Sequence, residues 1–131
     1  MNPGLAALYE KAEVDCLAAN AYIELALRAT SPVRAATQSK RAEQHTFSAR
    51  ASRADGYDRS RILDEIRLAK VRLAQNDLTE CVAVTEMALE LAAPTSSTVV
   101  CDWLVHFCGE LNARYPNNTQ IAPLGEHMRD M

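Results

Sequence analysis

A chain of 131 residues, 48% hydrophobic and 24% charged, is about one domain in size and can bury a core without metals or disulfides, which excludes disorder along its whole length. No apolar run approaches the roughly 18 residues that a membrane span needs, and the opening MNPGLAALYEK lacks the basic start and apolar core of a signal peptide, so a cytoplasmic protein with no membrane partner is expected. Four glycines, five prolines and abundant Ala and Leu favour an all-α protein, and the sparse Cys16, Cys81, Cys101 and Cys108 are expected to be free thiols packed as small hydrophobes.

Asn2 and Pro3 read as the cap and first residue of a helix running to about Ala29, with Leu5, Leu8, Ala12, Cys16, Ala19, Ile23 and Ala26 recurring at threes and fours. The segment reads either as one long helix or as a short one entering a longer one, and Tyr9 and Tyr22 read as packing residues. Ser31-Pro32 repeats the signal and opens a second, more polar helix to about Ser52. Its apolar stripe is narrow: Ala35, Ala36, Ala42, His45 or Thr46, and Ala49, with Val33 and Phe47 as the larger groups. Such a helix packs closely but holds weakly, so partial exposure is expected. Asp55-Gly56 marks a turn and Asp58 a cap.

The central stretch, SRILDEIRLAKVRLAQNDLTECVAVTEMALELAAP from Ser60 to Pro94, reads as two antiparallel helices. Ile62, Ile66, Ala69 and Leu73 share one face, while Leu63, Leu68 and Val71 lie off it, as in a helix covered on more than one side. Asn76 suits a left-handed helix end, and Asp77 with Glu80 reads as a capping box. The next helix buries Leu78, Cys81, Val82, Thr85, Ala88, Leu89 and Ala92 and stops at Pro94. Thr95 to Thr98 supply caps for a fifth helix, with Val100, Trp103, Leu104, Phe107, Cys108 and Leu111 inward and Asp102, His106 and Glu110 outward, ending at Tyr115-Pro116-Asn117-Asn118. Ile121 to Met131 reads as a short helix packing through Ile121, Leu124 and Met128, or as a frayed tail.

Leu68-Ala69, Leu73, Asn76-Asp77, Cys81, Ala88-Leu89 and Pro94 together resemble the tetratricopeptide repeat, with Asn76 at the usual turn glycine, Thr85 at the usual aromatic and Pro94 one place late. More narrowly, YDRSRILDEIRLAKVRLAQNDLTECVAVTEMALELA and PTSSTVVCDWLVHFCGELNARY resemble the C-terminal repeat region of actinobacterial helix-turn-helix transcriptional regulators, over residues 57 to 131 and more loosely before that. The resemblance implies a short tetratricopeptide-like superhelix: a degenerate hairpin over 1–56, a central hairpin over 57–94, and a capping helix with tail over 95–131. Those regulators bind DNA through a separate N-terminal domain that has no counterpart here, so sequence-specific DNA binding is not expected.

Charge is unevenly spread: one base against four acids up to residue 27, eleven against five across 28–72, and two against eight beyond. Either these are solvated faces that alternate in sign and fix how neighbouring helices dock, or the basic middle meets an acidic partner. Motifs that carry chemistry are scarce. There is no GxGxxG, P-loop, GxSxG or HExxH, and the basic segment lacks interleaved aromatics for stacking nucleobases. Cys101, His106 and Cys108 read as core packing plus a surface histidine rather than a zinc site, because His106 points away from Cys108 on a helix. Glu10 and Glu13 read as a solvated pair, and no carboxyl group is marked as buried and shifted.

By analogy with the repeat, Leu63, Ile66, Arg67, Lys70 and Leu73 are candidates for a groove lined by the first helix of each pair, with plain burial the competing reading for Leu63, Ile66 and Leu73. The expected function is a non-catalytic protein- or peptide-binding module, regulatory or scaffolding, with Leu63, Ile66, Arg67 and Lys70 as binding residues. No catalytic residue, metal or cofactor is assigned. The expected partner is an acidic protein segment, with a homo-oligomer as companion. The alternative is a small-molecule-binding accessory protein or a biosynthetic enzyme using the helical concavity.

Overall fold

The computed structural model describes residues 3–52, 58–95 and 97–129. Its elements are α1 (Pro3–Arg28), α2 (Pro32–Ala51), α3 (Asp58–Ala74), α4 (Leu78–Ala92), a single 3-10 turn (Ala93–Thr95), α5 (Thr98–Arg114) and α6 (Ala122–Arg129). The fold is all-α, with no strand among the described residues and no helix long and apolar enough to cross a membrane. The expected cap Asn2, the Asp55-Gly56 turn, the Leu5, Tyr9 and Asp58 side chains and the final residue Met131 lie outside the described residues.

Local chemistry sets the helix ends. The Ser31 hydroxyl accepts the Arg34 N–H, the Asp77 carboxylate accepts the Glu80 N–H, and the Ser97 hydroxyl accepts the Val100 N–H. Asn76 takes φ 59°, and the chain reverses there as the Asp77 N–H reaches back to the Arg72 carbonyl at 2.9 Å. Asn117 at φ 61° plays the corresponding part after α5. The first segment is one continuous helix, since nothing between Gly4 and Arg28 interrupts it.

α1 packs chiefly along α2 and touches α3, α3 pairs with α4, and α5 and α6 both lie against α4. The main core joins α3 to α6: Ile62, Ile66, Leu73, Cys81, Leu89, Leu104, Phe107, Leu111 and Leu124 are buried in one cluster. α1 and α2 meet differently. Their buried faces are Ala12, Cys16, Ala19, Ile23 and Ala26 against Ser39, Ala42, Thr46 and Ala49, so the two backbones approach closely across small side chains. A small buried cluster of Ile23, Ala42 and Val71 joins this pair to α3, and Leu27 packs against the main core.

Two details depart from the sequence pattern, and a third decides between readings it left open. Leu8, placed on the inner face by its spacing, is exposed. On α2 the exposed Ala36 and half-buried Ala35 leave the seam to Ser39, Ala42, Thr46 and Ala49, which recur at offsets of three and four. The last segment is a helix docked on α4, with Ile121 and Leu124 buried and Met128 packed beside them.

Candidate functional site

Glu10 and Glu13 are exposed as expected, but the sequence marked no carboxyl group as buried, and here the structure corrects it. Asp15 is only 8% exposed, Asp64 and Glu65 are buried, and each is met by a base. Asp15 is the hub of the α1–α2 seam. Its two oxygens accept from His45 Nδ1 at 2.9 Å, Ser48 Oγ at 2.7 Å and Lys11 Nζ at 3.0 Å. Burial pushes the Asp15 pKa up, but the hydrogen bonds from His45, Ser48 and Lys11 outweigh it and hold the carboxyl down at about 2. The signal was present in the sequence: Asp15 sits three past Ala12 and four before Ala19, on the small-residue face, opposite a His and a Ser three apart on the next helix.

Serine, histidine and aspartate in contact invite a catalytic reading, and the connectivity refuses it. A triad needs the histidine between the serine and the carboxylate, able to take the hydroxyl proton. Here Ser48 and His45 each bond directly to Asp15, and His45 stacks on Tyr22 at 5.6 Å between centroids and 10° between planes. With its carboxyl group ionised down to about pH 2, Asp15 is too weak a base to activate Ser48. The cluster is a buried brace between α1 and α2.

The concave feature lies elsewhere. A groove of about 310 Å³ is walled by the first helix of each pair: Asn20, Ile23 and Glu24 from α1, Leu63, Ile66, Arg67 and Lys70 from α3, and Trp103, His106 and Phe107 from α5. The structure therefore brings Leu63, Ile66, Arg67 and Lys70 to one surface, while Leu73 is buried in the core outside it. α3 reaches that surface because Ile62 and Ala69 are held inside, so Leu63, Arg67 and Lys70, spaced four and three apart on the adjoining face, turn toward α1 and α5 with Ile66 at the border.

The four residues differ in what they offer. Ile66 is buried and forms the floor, and Leu63 is half-buried beside it. The Arg67 guanidinium is already engaged, donating through Nε to Asn20 Oδ1 at 3.2 Å and through Nη1 to Asp64 Oδ1 at 3.1 Å, so it ties α3 to α1. Lys70 is different. Its ammonium stands 5.9 Å from the centre of the Phe107 ring, and among the described residues no carboxylate is within ion-pairing distance. Trp103 packs against the core and His106 is exposed, as sequence reasoning placed them, and both also line the groove, which it did not foresee. His106 sits at the rim, 3.0 Å from Glu110, and Glu24 at the opposite rim pairs with Arg28 at 3.3 Å.

Three of the eleven bases in the basic middle of the chain, Arg50, Arg67 and Arg72, are engaged by buried or half-buried acids of the fold. Arg50 pairs with Glu65 and Arg72 with Glu43, both across α2 and α3, so these charges fix how α2 docks. The cysteines are free, and burial pushes the Cys81 thiol up to about 12 and the Cys108 thiol to about 11, which keeps both protonated and unreactive. No group of three His, Cys, Asp or Glu among the described residues is placed to hold a metal ion. No protein-family model, curated protein or solved structure significantly matches this chain.

Proposed function

We propose that this chain is a non-catalytic protein- or peptide-binding module of regulatory or scaffolding character, tetratricopeptide-like in design, that grips an acidic segment in the groove between α1, α3 and α5. The observation that carries this reading is Lys70, a cation in the groove with no carboxylate beside it among the described residues, set between an aliphatic wall and the Trp103 and Phe107 rings. A peptide carboxylate would bond to Lys70 while a neighbouring apolar side chain displaces water over Leu63 and Trp103. Glu24 repels an acid at the α1 rim, which directs the acidic residue toward α3. The α3 and α5 walls are built on helices that the core holds in place, so little ordering cost opposes binding there.

Trp103 is the only tryptophan, so its emission reports on the groove directly. Titrating acidic peptides of varied sequence, with charge-reversed peptides as controls, should shift that emission for a subset of the acidic ones alone. Lys70→Ala should weaken those complexes by at least about tenfold, a loss of about 1.4 kcal/mol, and raised salt should weaken them too. If neither acidic nor basic peptides move the signal, while native mass spectrometry finds a small molecule on the purified chain, the accessory-protein or enzyme reading replaces this one.

A further inference from the structure

α1 is apolar on two sides, and only one of them is covered. Opposite the buried face, Val14 is 65% exposed, Leu17 70% and Leu25 51%, with Ala7 and Ala21 also open to solvent. At 100° per residue these positions, with the half-buried Ala18, form a single stripe along the helix. We infer that this stripe is a homodimer interface, in which α1 packs antiparallel against α1 of a second copy about a two-fold axis near residues 19 and 20.

The layout of the stripe selects the occupant. Four of its apolar positions are symmetric about that point, Val14 mirroring Leu25 and Ala18 mirroring Ala21, while Leu17 falls at the level of the partner's Tyr22. A two-fold pairing therefore sets Val14 against the partner subunit's Leu25, twice, with alanines at the crossing where the backbones come closest. Charge follows the same symmetry. Glu10 and Arg28, both exposed, lie within the angular range of the stripe near its two ends, 18 residues or about 27 Å apart along the helix, and Arg28 also pairs with Glu24 at 3.3 Å in the single chain. Antiparallel packing brings opposite ends of the two helices together, so Glu10 meets the partner's Arg28 at each end. Parallel packing would instead set Glu10 against Glu10 and Arg28 against Arg28, and a foreign partner would have no reason to share the mirror. Asn20 and Ile23 project away from the stripe and Glu24 stands beside Leu17 at its edge, so pairing leaves the α3 and α5 walls of the groove open.

Sedimentation equilibrium of the full chain, up to a concentration of about 1 mM, tests this. A two-copy species is expected. Leu17→Glu should raise its dissociation constant by at least about a hundredfold while the far-UV circular dichroism of the monomer is unchanged, since Leu17 is 70% exposed in the single chain. Glu10→Arg and Arg28→Glu should each weaken the dimer, and the double swap should restore it. A monomer at every concentration, a dimer indifferent to Leu17→Glu, or a double swap that fails to recover association would each overturn the inference.

Discussion

The two ends of this molecule are held together by different physics. From α3 onward, large aliphatic and aromatic side chains interlock: Ile62, Leu89, Leu104, Phe107, Leu111 and Leu124 are essentially inaccessible to water. Between α1 and α2 almost nothing large is buried, and alanines, a serine and a threonine bring the helices close while Asp15, His45, Ser48 and Lys11 bond across the seam. α2 is then fixed to α3 by Arg50–Glu65 and Arg72–Glu43. Apolar burial is insensitive to pH and salt, and a hydrogen-bonded seam is neither. The α1–α2 pair should therefore open before the rest of the fold, as a separate unit.

The largest expected effect is on the apolar half. Phe107→Ala should cost about 3 to 5 kcal/mol in chemical denaturation, because the core cannot close over the lost ring. It should lower the stability of α3 to α6 as a block, and loss confined to α5 would show that the block is not one cooperative unit.

Asp15→Asn comes next, at about 1 to 3 kcal/mol, since it leaves hydrogen-bond donors of the seam poorly matched. Hydrogen exchange should show faster opening of α1 and α2 with α3 to α6 unchanged, and equal loss in both halves would erase the distinction drawn here. The same residue sets an acid response. Because the folded carboxyl titrates at about 2 rather than 3.8, its contribution is fully present above about pH 4 and is lost as pH falls toward 2. Circular dichroism or exchange through that window should show the N-terminal pair loosening in the wild type, with the Asp15 part of that response absent from Asp15→Asn.

Smaller effects sharpen the picture. Asn76→Ala should cost about 1 kcal/mol, because alanine lacks the tolerance for φ 59° that asparagine has, whereas Asn76→Gly should be tolerated. Glu43→Gln should cost at most about 1 kcal/mol, since the pair with Arg72 is partly open to solvent, and thermal denaturation of the wild type and variant should converge as salt is raised.

The legible and illegible parts of the chain divide along the same line. Around Asn76-Asp77 the sequence foretold the left-handed residue, the cap and the buried faces of α3 and α4, because each depends on neighbours within one or two turns. Lys70 was legible as a groove candidate through the periodicity of α3. Arg67 was legible as a position, but its bonds to Asn20 and Asp64 were not, because Asn20 is 47 residues away. Trp103 read as core from its spacing, and only the approach of α1 and α3 to α5 leaves it on the groove wall.

Local sequence therefore determined where the helices begin and end, which face of each is apolar, and that no strand-dependent chemistry has a place to sit. Tertiary packing decided which charges are used up and which remain available. Arg50, Arg67 and Arg72 come to rest beside buried or half-buried acids, Asp15 becomes a buried hub, and Lys70 is left facing an aromatic ring. A charge acts according to what lies within a few ångströms of it, and for these residues that neighbour comes from another helix.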